Sequence, residues 1–218
     1  MTGLVIKNLR GGGITPKSAI AFLLICAVAG VAAGTPGMFI VAISATCGGY
    51  VGSYLFQFSS GCGRVWSRLE SLMPTKATYV ELSRYIAHMI VYFITLVGIG
   101  IYSLGSHARG QWEENYSFAE NVFFTIAFWS CLFLLFGGFF FIVMRLMRTQ
   151  AMLIVGQFSG FAVTLSIIIA STTLVATLAE AFDSSWYLVI VPASVVVFVA
   201  SYFVSLRLYK RRLRKWGA

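Results

Sequence analysis

Charge is what this chain has least of. Only 11% of its 218 residues are charged and seven are acidic, too few to cover a water-soluble domain of this size. Cysteine is limited to Cys26, Cys47, Cys62 and Cys131, with no CxxC pair, so neither a disulfide framework nor a metal site follows. Cys26, Cys47 and Cys131 fall in apolar runs and read as small buried hydrophobes. The two histidines, His88 and His107, stand in no metal-ligand or nucleophile–base pattern. The segment GGGITPKS at 11–18 lacks the glycine that a phosphate loop needs before its lysine. Pro16 stands there and removes a backbone amide, which argues against nucleotide hydrolysis by this chain. A cleavable-signal pattern is missing too: Lys7 and Arg10 precede an apolar run, but Thr35, Pro36, Gly37 and a second apolar run follow it.

What the chain has is apolar length. It is 59% hydrophobic with a mean hydropathy of +0.86. The runs are continuous rather than alternating, which favours membrane helices over a barrel, since either must pair every backbone polar group internally. A span needs about 20 apolar residues. Runs at 18–33, 38–58, 79–104, 122–143, 153–178 and 186–206 predict an all-α, polytopic protein with six transmembrane helices forming one transmembrane domain over 1–218. Gly34 to Gly37 make a turn that closes the first two runs into a hairpin.

Basic residues orient the spans. With both termini cytoplasmic, fifteen of the sixteen Lys and Arg lie inside, leaving Arg109 alone outside. Five of the seven acids, Glu113, Glu114, Glu120, Glu180 and Asp183, then fall in outer loops. The formal charge of +9 is thus a topology signal and not a nucleic-acid footprint. The C-terminal RLYKRRLRKW reads as a stop-transfer tail that can also touch anionic lipid.

Gly30 with Gly34, Gly48 with Gly52, and Gly156 with Gly160 each form a GxxxG, read first as packing within the chain and second as a dimer seam. Ser44, Thr46, Tyr50, Ser53, Tyr54 and Gln57 in the second run, and Thr164, Ser166, Ser171, Thr172, Thr173 and Thr177 in the fifth, are polar without charge. They line a path for cargo or supply hydrogen bonds between helices. His88, deep in the third run, has the same two readings. Glu81 and Arg84 have the spacing of an i,i+3 pair.

The loop after the second run is the most informative segment. Val65, Trp66, Leu69, Leu72 and Met73 share one helical face; Arg64, Arg68, Glu70 and Ser71 take the other, and Pro74 ends the helix. Such a helix either lies on the bilayer or offers its apolar face to a protein.

At this loop the sequence resembles the ABC-2 type permeases, membrane subunits of bacterial ABC exporters. GLVIKNLR is similar to that family's amphipathic, basic N-terminal segment. Trp66, then Leu72, Met73 and Pro74, a polar turn, and Arg84 with Tyr85 resemble its pattern before the third span. In size and plan the chain is similar to permeases that export amphipathic or antimicrobial peptides, such as phenol-soluble modulin exporters and lantibiotic-immunity transporters. The resemblance implies localisation in the bacterial cytoplasmic membrane, a separate cytosolic ATPase that binds ATP and Mg, no cofactor on this chain, and a second permease copy. It also implies that Arg64 to Met73 is the coupling helix, with Trp66, Leu69 and Leu72 as anchors and Arg64, Arg68 and Glu70 as rim. The chain departs from the family pattern between the last two spans, where only AEAFDSS stands in place of a longer re-entrant segment. The competing readings are an ion- or proton-coupled secondary transporter, which calls for buried carboxylates or repeated broken helices, and a membrane enzyme, which calls for clustered acids or histidines.

Overall fold

The structure, a computed structural model, describes residues 1–32, 76–108, 118–146 and 187–215. The described residues form five helices and no strand: α1 (Thr2–Gly11), α2 (Pro16–Ala32), α3 (Ala77–Ala108), α4 (Phe118–Leu146) and α5 (Tyr187–Lys215). The expected spans at 38–58 and 153–178, the glycine pairs Gly48/Gly52 and Gly156/Gly160, and the amphipathic helix at 64–73 lie outside the described residues.

The phosphate-loop look-alike is a helix boundary. α1 ends at Gly11, and Gly13 takes a φ of 74°, a left-handed conformation that glycine adopts without strain. Thr15 then caps α2. The Ser18 amide donates to Thr15 Oγ1 at 3.1 Å and the Thr15 amide donates to Ser18 Oγ at 2.9 Å, a reciprocal cap with Pro16 at the first helical position, where its missing N–H is harmless. α1 and α2 meet at a bend of 56°. The N-terminal segment read as amphipathic is therefore a discrete helix, with Val5 and Asn8 on its buried face.

Two described helices, Ala77–Ala108 and Val191–Arg214 within α5, are long and apolar enough to cross a membrane, and α1 with α2 adds a third if the bent pair is one span. Two described helices extend past the apolar runs they contain. The third run at 79–104 sits inside a helix of 32 residues, and the last run at 186–206 continues helically to Lys215. Hydropathy marks where hydrocarbon ends, whereas Arg, Leu and Lys remain good helix formers beyond that point.

The residues fall into two compact units. The first comprises the described parts of Met1–Cys62 and Ser83–Ile126. Here α2 buries Phe22, Cys26 and Gly30, one residue per turn, and exposes Ile20, Leu24, Ile25, Val28 and Val31. On α3, His88, Val91, Thr95, Ile99, Tyr102 and Ser106 make a buried seam at steps of three or four residues. Glycine allows the close approach along it. A Cβ on Gly30 would lie 3.0 Å from the Tyr102 Cα, and one on Gly98 would lie 2.6 Å from the Phe22 ring. Ser106 Oγ donates to the Gly30 carbonyl at 3.1 Å, so Gly30 of the first GxxxG packs within the chain. The hydroxyls of Thr95 and Ser103 bond back to the carbonyls of Val91 and Ile99, at 2.9 and 2.8 Å, which satisfies them inside their own helix. Cys26 is buried and forms no disulfide, as its apolar setting predicts.

The second unit comprises the described parts of Gly63–Leu82 and Ala127–Ala218. α5 is patterned inside out. Its buried face is Ser194, Phe198, Ser201, Ser205 and Tyr209, while Val195, Val196, Val197, Val199, Phe203 and Val204 are exposed. Water would not tolerate that row of bare valines, but acyl chains solvate it, and small hydroxyl-bearing residues suit the packed side. Gly138 of α4 meets this face, with its position for a Cβ only 2.9 Å from Ser201 Oγ.

Candidate functional site: a buried ion-pair node on three helices

Glu81 stands in the second turn of α3 and is fully buried. An isolated carboxylate there would be strongly destabilising, and the second unit surrounds it with partners. Arg145, in the last turn of α4, donates through Nη2 to Glu81 Oε2. Ser205, in the C-terminal half of α5, donates its hydroxyl to Glu81 Oε1. Both carboxylate oxygens are thus taken by different helices. The Arg145 guanidinium in turn lies over the Tyr209 ring, 4.1 Å from its centroid, one helical turn beyond Ser205. Arg145 and Tyr209 are themselves 7% and 1% exposed, so water screens the pair weakly.

Local sequence explains each position. Arg145 closes α4 where a cation complements the negative end of the helix dipole. Ser205 and Tyr209 are four apart on the buried face of α5, so one reaches Glu81 and the other its partner Arg145. Glu81 lies eight positions after Met73, where the segment read from the sequence as amphipathic ends. The arrangement is an ion pair with a serine hydroxyl added to it. It ties the start of one long helix to the ends of two others by charge-assisted contacts that hold only in a narrow geometry.

Of the residues singled out in the sequence, His88 and Arg84 are buried in the first unit. Arg64, Val65, Trp66, Arg68, Leu69, Glu70, Leu72, Met73 and Pro74 lie outside the described residues, as do Ser44, Tyr50, Tyr54, Gln57, Thr164 and Thr172. The spacing of Glu81 and Arg84 suggests a local pair, and the structure brings further partners to the carboxylate from 64 and 124 positions away. Arg145, Ser205 and Tyr209 were not singled out as a site. One signal pointed to them: Glu81 is an acid placed in a span on the basic side, so a cation had to meet it. Among the described residues no group of three or more His, Cys, Asp or Glu converges in a manner able to hold a metal. A short polar link reaches α1 within the first unit, where Asn8 Nδ2 donates to Ser83 Oγ at 2.9 Å.

Long helices whose packed faces carry hydroxyls and whose exposed faces carry valine and leucine define an integral membrane protein. The family model for the ABC-2 family transporter protein matches residues 3–210, and the chain belongs to that family. Membrane proteins of this family usually work with a cytosolic ATPase. No curated protein and no solved structure matches the chain.

Proposed function

We propose that the chain is the membrane permease subunit of an ATP-driven ABC exporter in the bacterial cytoplasmic membrane. In this reading it has six spans, two copies form the pathway, and the cargo is an amphipathic or antimicrobial peptide. ATP and Mg belong to a separate cytosolic ATPase, and this chain binds no cofactor and catalyses no reaction of its own. The helix from Arg64 to Met73 docks on that ATPase through Trp66, Leu69 and Leu72.

Within the family, the observation that carries the coupling role is the Glu81 node. Motion delivered through the 64–74 loop arrives first at the start of α3, and there Glu81 grips α4 through Arg145 and α5 through Ser205. One displacement is therefore shared by three helices as a rigid-body shift. The even span count rests on charge: with both termini cytoplasmic, fifteen of the sixteen basic residues lie inside. The pathway is assigned to Ser44, Tyr50, Tyr54, Gln57, Thr164 and Thr172, with His88 joining it when the helices that bury it part.

A second reading uses the same acid. A buried carboxylate is what a proton-coupled transporter needs, and Glu81 is one. Its place within about 8 Å of the helix start and its arginine partner favour a structural role over proton transfer. Co-purification decides the coupling role. Leu69→Asp together with Leu72→Asp is expected to abolish association with an ATPase encoded beside this gene while membrane insertion persists, and undiminished association refutes the docking helix.

A further inference from the structure

The C-terminal part of α5 carries a second feature that the node does not use. Phe203, Leu206, Arg207, Lys210, Arg211 and Arg214 line an open groove of about 490 Å³ along one face. Their steps of three and four residues keep them within one side of the helix, opposite the buried row of Ser201, Ser205 and Tyr209. Phe203 is 63% exposed, and Arg207, Lys210, Arg211 and Arg214 are exposed as well. None of these four cations makes an ion pair or hydrogen bond with an acid among the described residues. The side is graded along its length. Bare Val195, Val196, Val199 and Phe203 lead into Leu206, and the charges begin at Arg207.

Hydrocarbon thickness explains the grading. About 20 residues of helix cross the acyl core at about 1.5 Å each. Counted from Tyr187, the start of α5, that length ends at Leu206, and the next residue is Arg207. The groove therefore spans the boundary, with its apolar wall at acyl depth and its cations at the depth of phosphate esters. We propose that it binds an anionic glycerophospholipid, with the headgroup phosphate held by Arg207, Lys210, Arg211 and Arg214 and an acyl chain lying against Phe203 and Leu206. Continuity with the valine face argues for lipid over an acidic protein surface, because a soluble partner would have to cover Phe203 at a depth where acyl chains already solvate it. Guanidinium groups are matched to phosphate by their fork of donors, and Lys210 adds a point charge among them. The inference concerns membrane contact and does not rest on coupling to an ATPase.

The test is lipid selectivity of the full chain reconstituted in mixed vesicles, read by electron spin resonance of spin-labelled phosphatidylglycerol against spin-labelled phosphatidylcholine. The motionally restricted fraction is expected to favour the anionic lipid about fivefold or more, the scale set by a single cation at a membrane surface. The combined variant Arg207→Gln, Lys210→Gln, Arg211→Gln, Arg214→Gln should bring that ratio close to unity, and Arg207→Lys with Arg211→Lys and Arg214→Lys should retain it. Equal restriction of both lipids by the native chain overturns the proposal, as does a preference unchanged in the glutamine variant. Loss of the preference in excess inorganic phosphate at matched ionic strength would assign the groove to a free anion, and its loss on adding the cognate ATPase would assign it to protein; either overturns the lipid site. Should the glutamine variant not insert, salt decides with the native chain. The preference must fall as the screening length shortens from about 10 Å to about 3 Å between about 0.1 M and about 1 M salt, and a salt-independent ratio overturns it.

Discussion

Arg145 holds the carboxylate of Glu81 across 64 positions of sequence, and the two side chains are buried together at 7% and 0% exposure. Each would be destabilising alone. Ser205 occupies the second carboxylate oxygen and Tyr209 covers the guanidinium, so the pair is enclosed by α5 as well as by α3 and α4. The start of α3 cannot move without carrying the other two helices or breaking this contact.

Removing one partner should therefore be far worse than removing both. Glu81→Gln or Arg145→Met singly is expected to lower stability by about 3–5 kcal/mol, the range for stranding a buried charge. The double variant should recover most of that loss. Thermal unfolding of the purified chain in detergent measures all four proteins, and a double variant that loses the sum of the singles shows the two residues are not a unit.

The hydroxyl of Ser205 is a smaller part of the same node. Ser205→Ala should lower stability by about 1–3 kcal/mol, because a charged acceptor loses one donor, and Ser205→Thr should retain more of it. The same melting experiment applies. An alanine variant as stable as the native chain removes Ser205 from the account.

Close packing in the first unit predicts a contrast between two glycines. Gly30→Ala places a methyl 3.0 Å from the Tyr102 Cα, and overpacking of that kind costs about 1–3 kcal/mol. Gly100 has nothing within 4 Å of its Cβ position, so Gly100→Ala should be neutral or stabilising by up to about 1 kcal/mol. Equal melting temperatures for the two variants contradict the packing of α2 on α3.

Much of this was legible in the sequence, for physical reasons particular to each element. Helix and membrane follow from apolar length, because hydrocarbon leaves the backbone few other ways to pair its polar groups. The α1 boundary at Gly11 to Gly13 and the α2 start at Pro16 were marked by local chemistry that needs no tertiary information. Gly30 was marked as a packing glycine, although its neighbours Tyr102 and Ser106 were not. The node was half visible. That Glu81 needed a cation follows from its place in an apolar helix, and Arg84 met the spacing argument, but the contact with Arg145 is made only when α4 folds onto the start of α3. The serines of α5 were hidden for a related reason: in a membrane the small polar face packs inward, the reverse of the soluble pattern.

Orientation is open to direct labelling. In a background with Cys26, Cys47, Cys62 and Cys131 replaced by serine, Arg68→Cys should react with a membrane-impermeant maleimide in inside-out vesicles and stay unreactive in right-side-out ones. The opposite pattern contradicts both the cytoplasmic loop and its proposed contact with an ATPase.

ATP-driven transport in sealed inside-out vesicles tests the exporter reading most directly. With the chain and its ATPase present, a fluorescent amphipathic peptide should accumulate in the lumen when ATP and Mg are added, and should do so with a protonophore present. Accumulation that needs no ATP and collapses with the proton gradient would contradict the account.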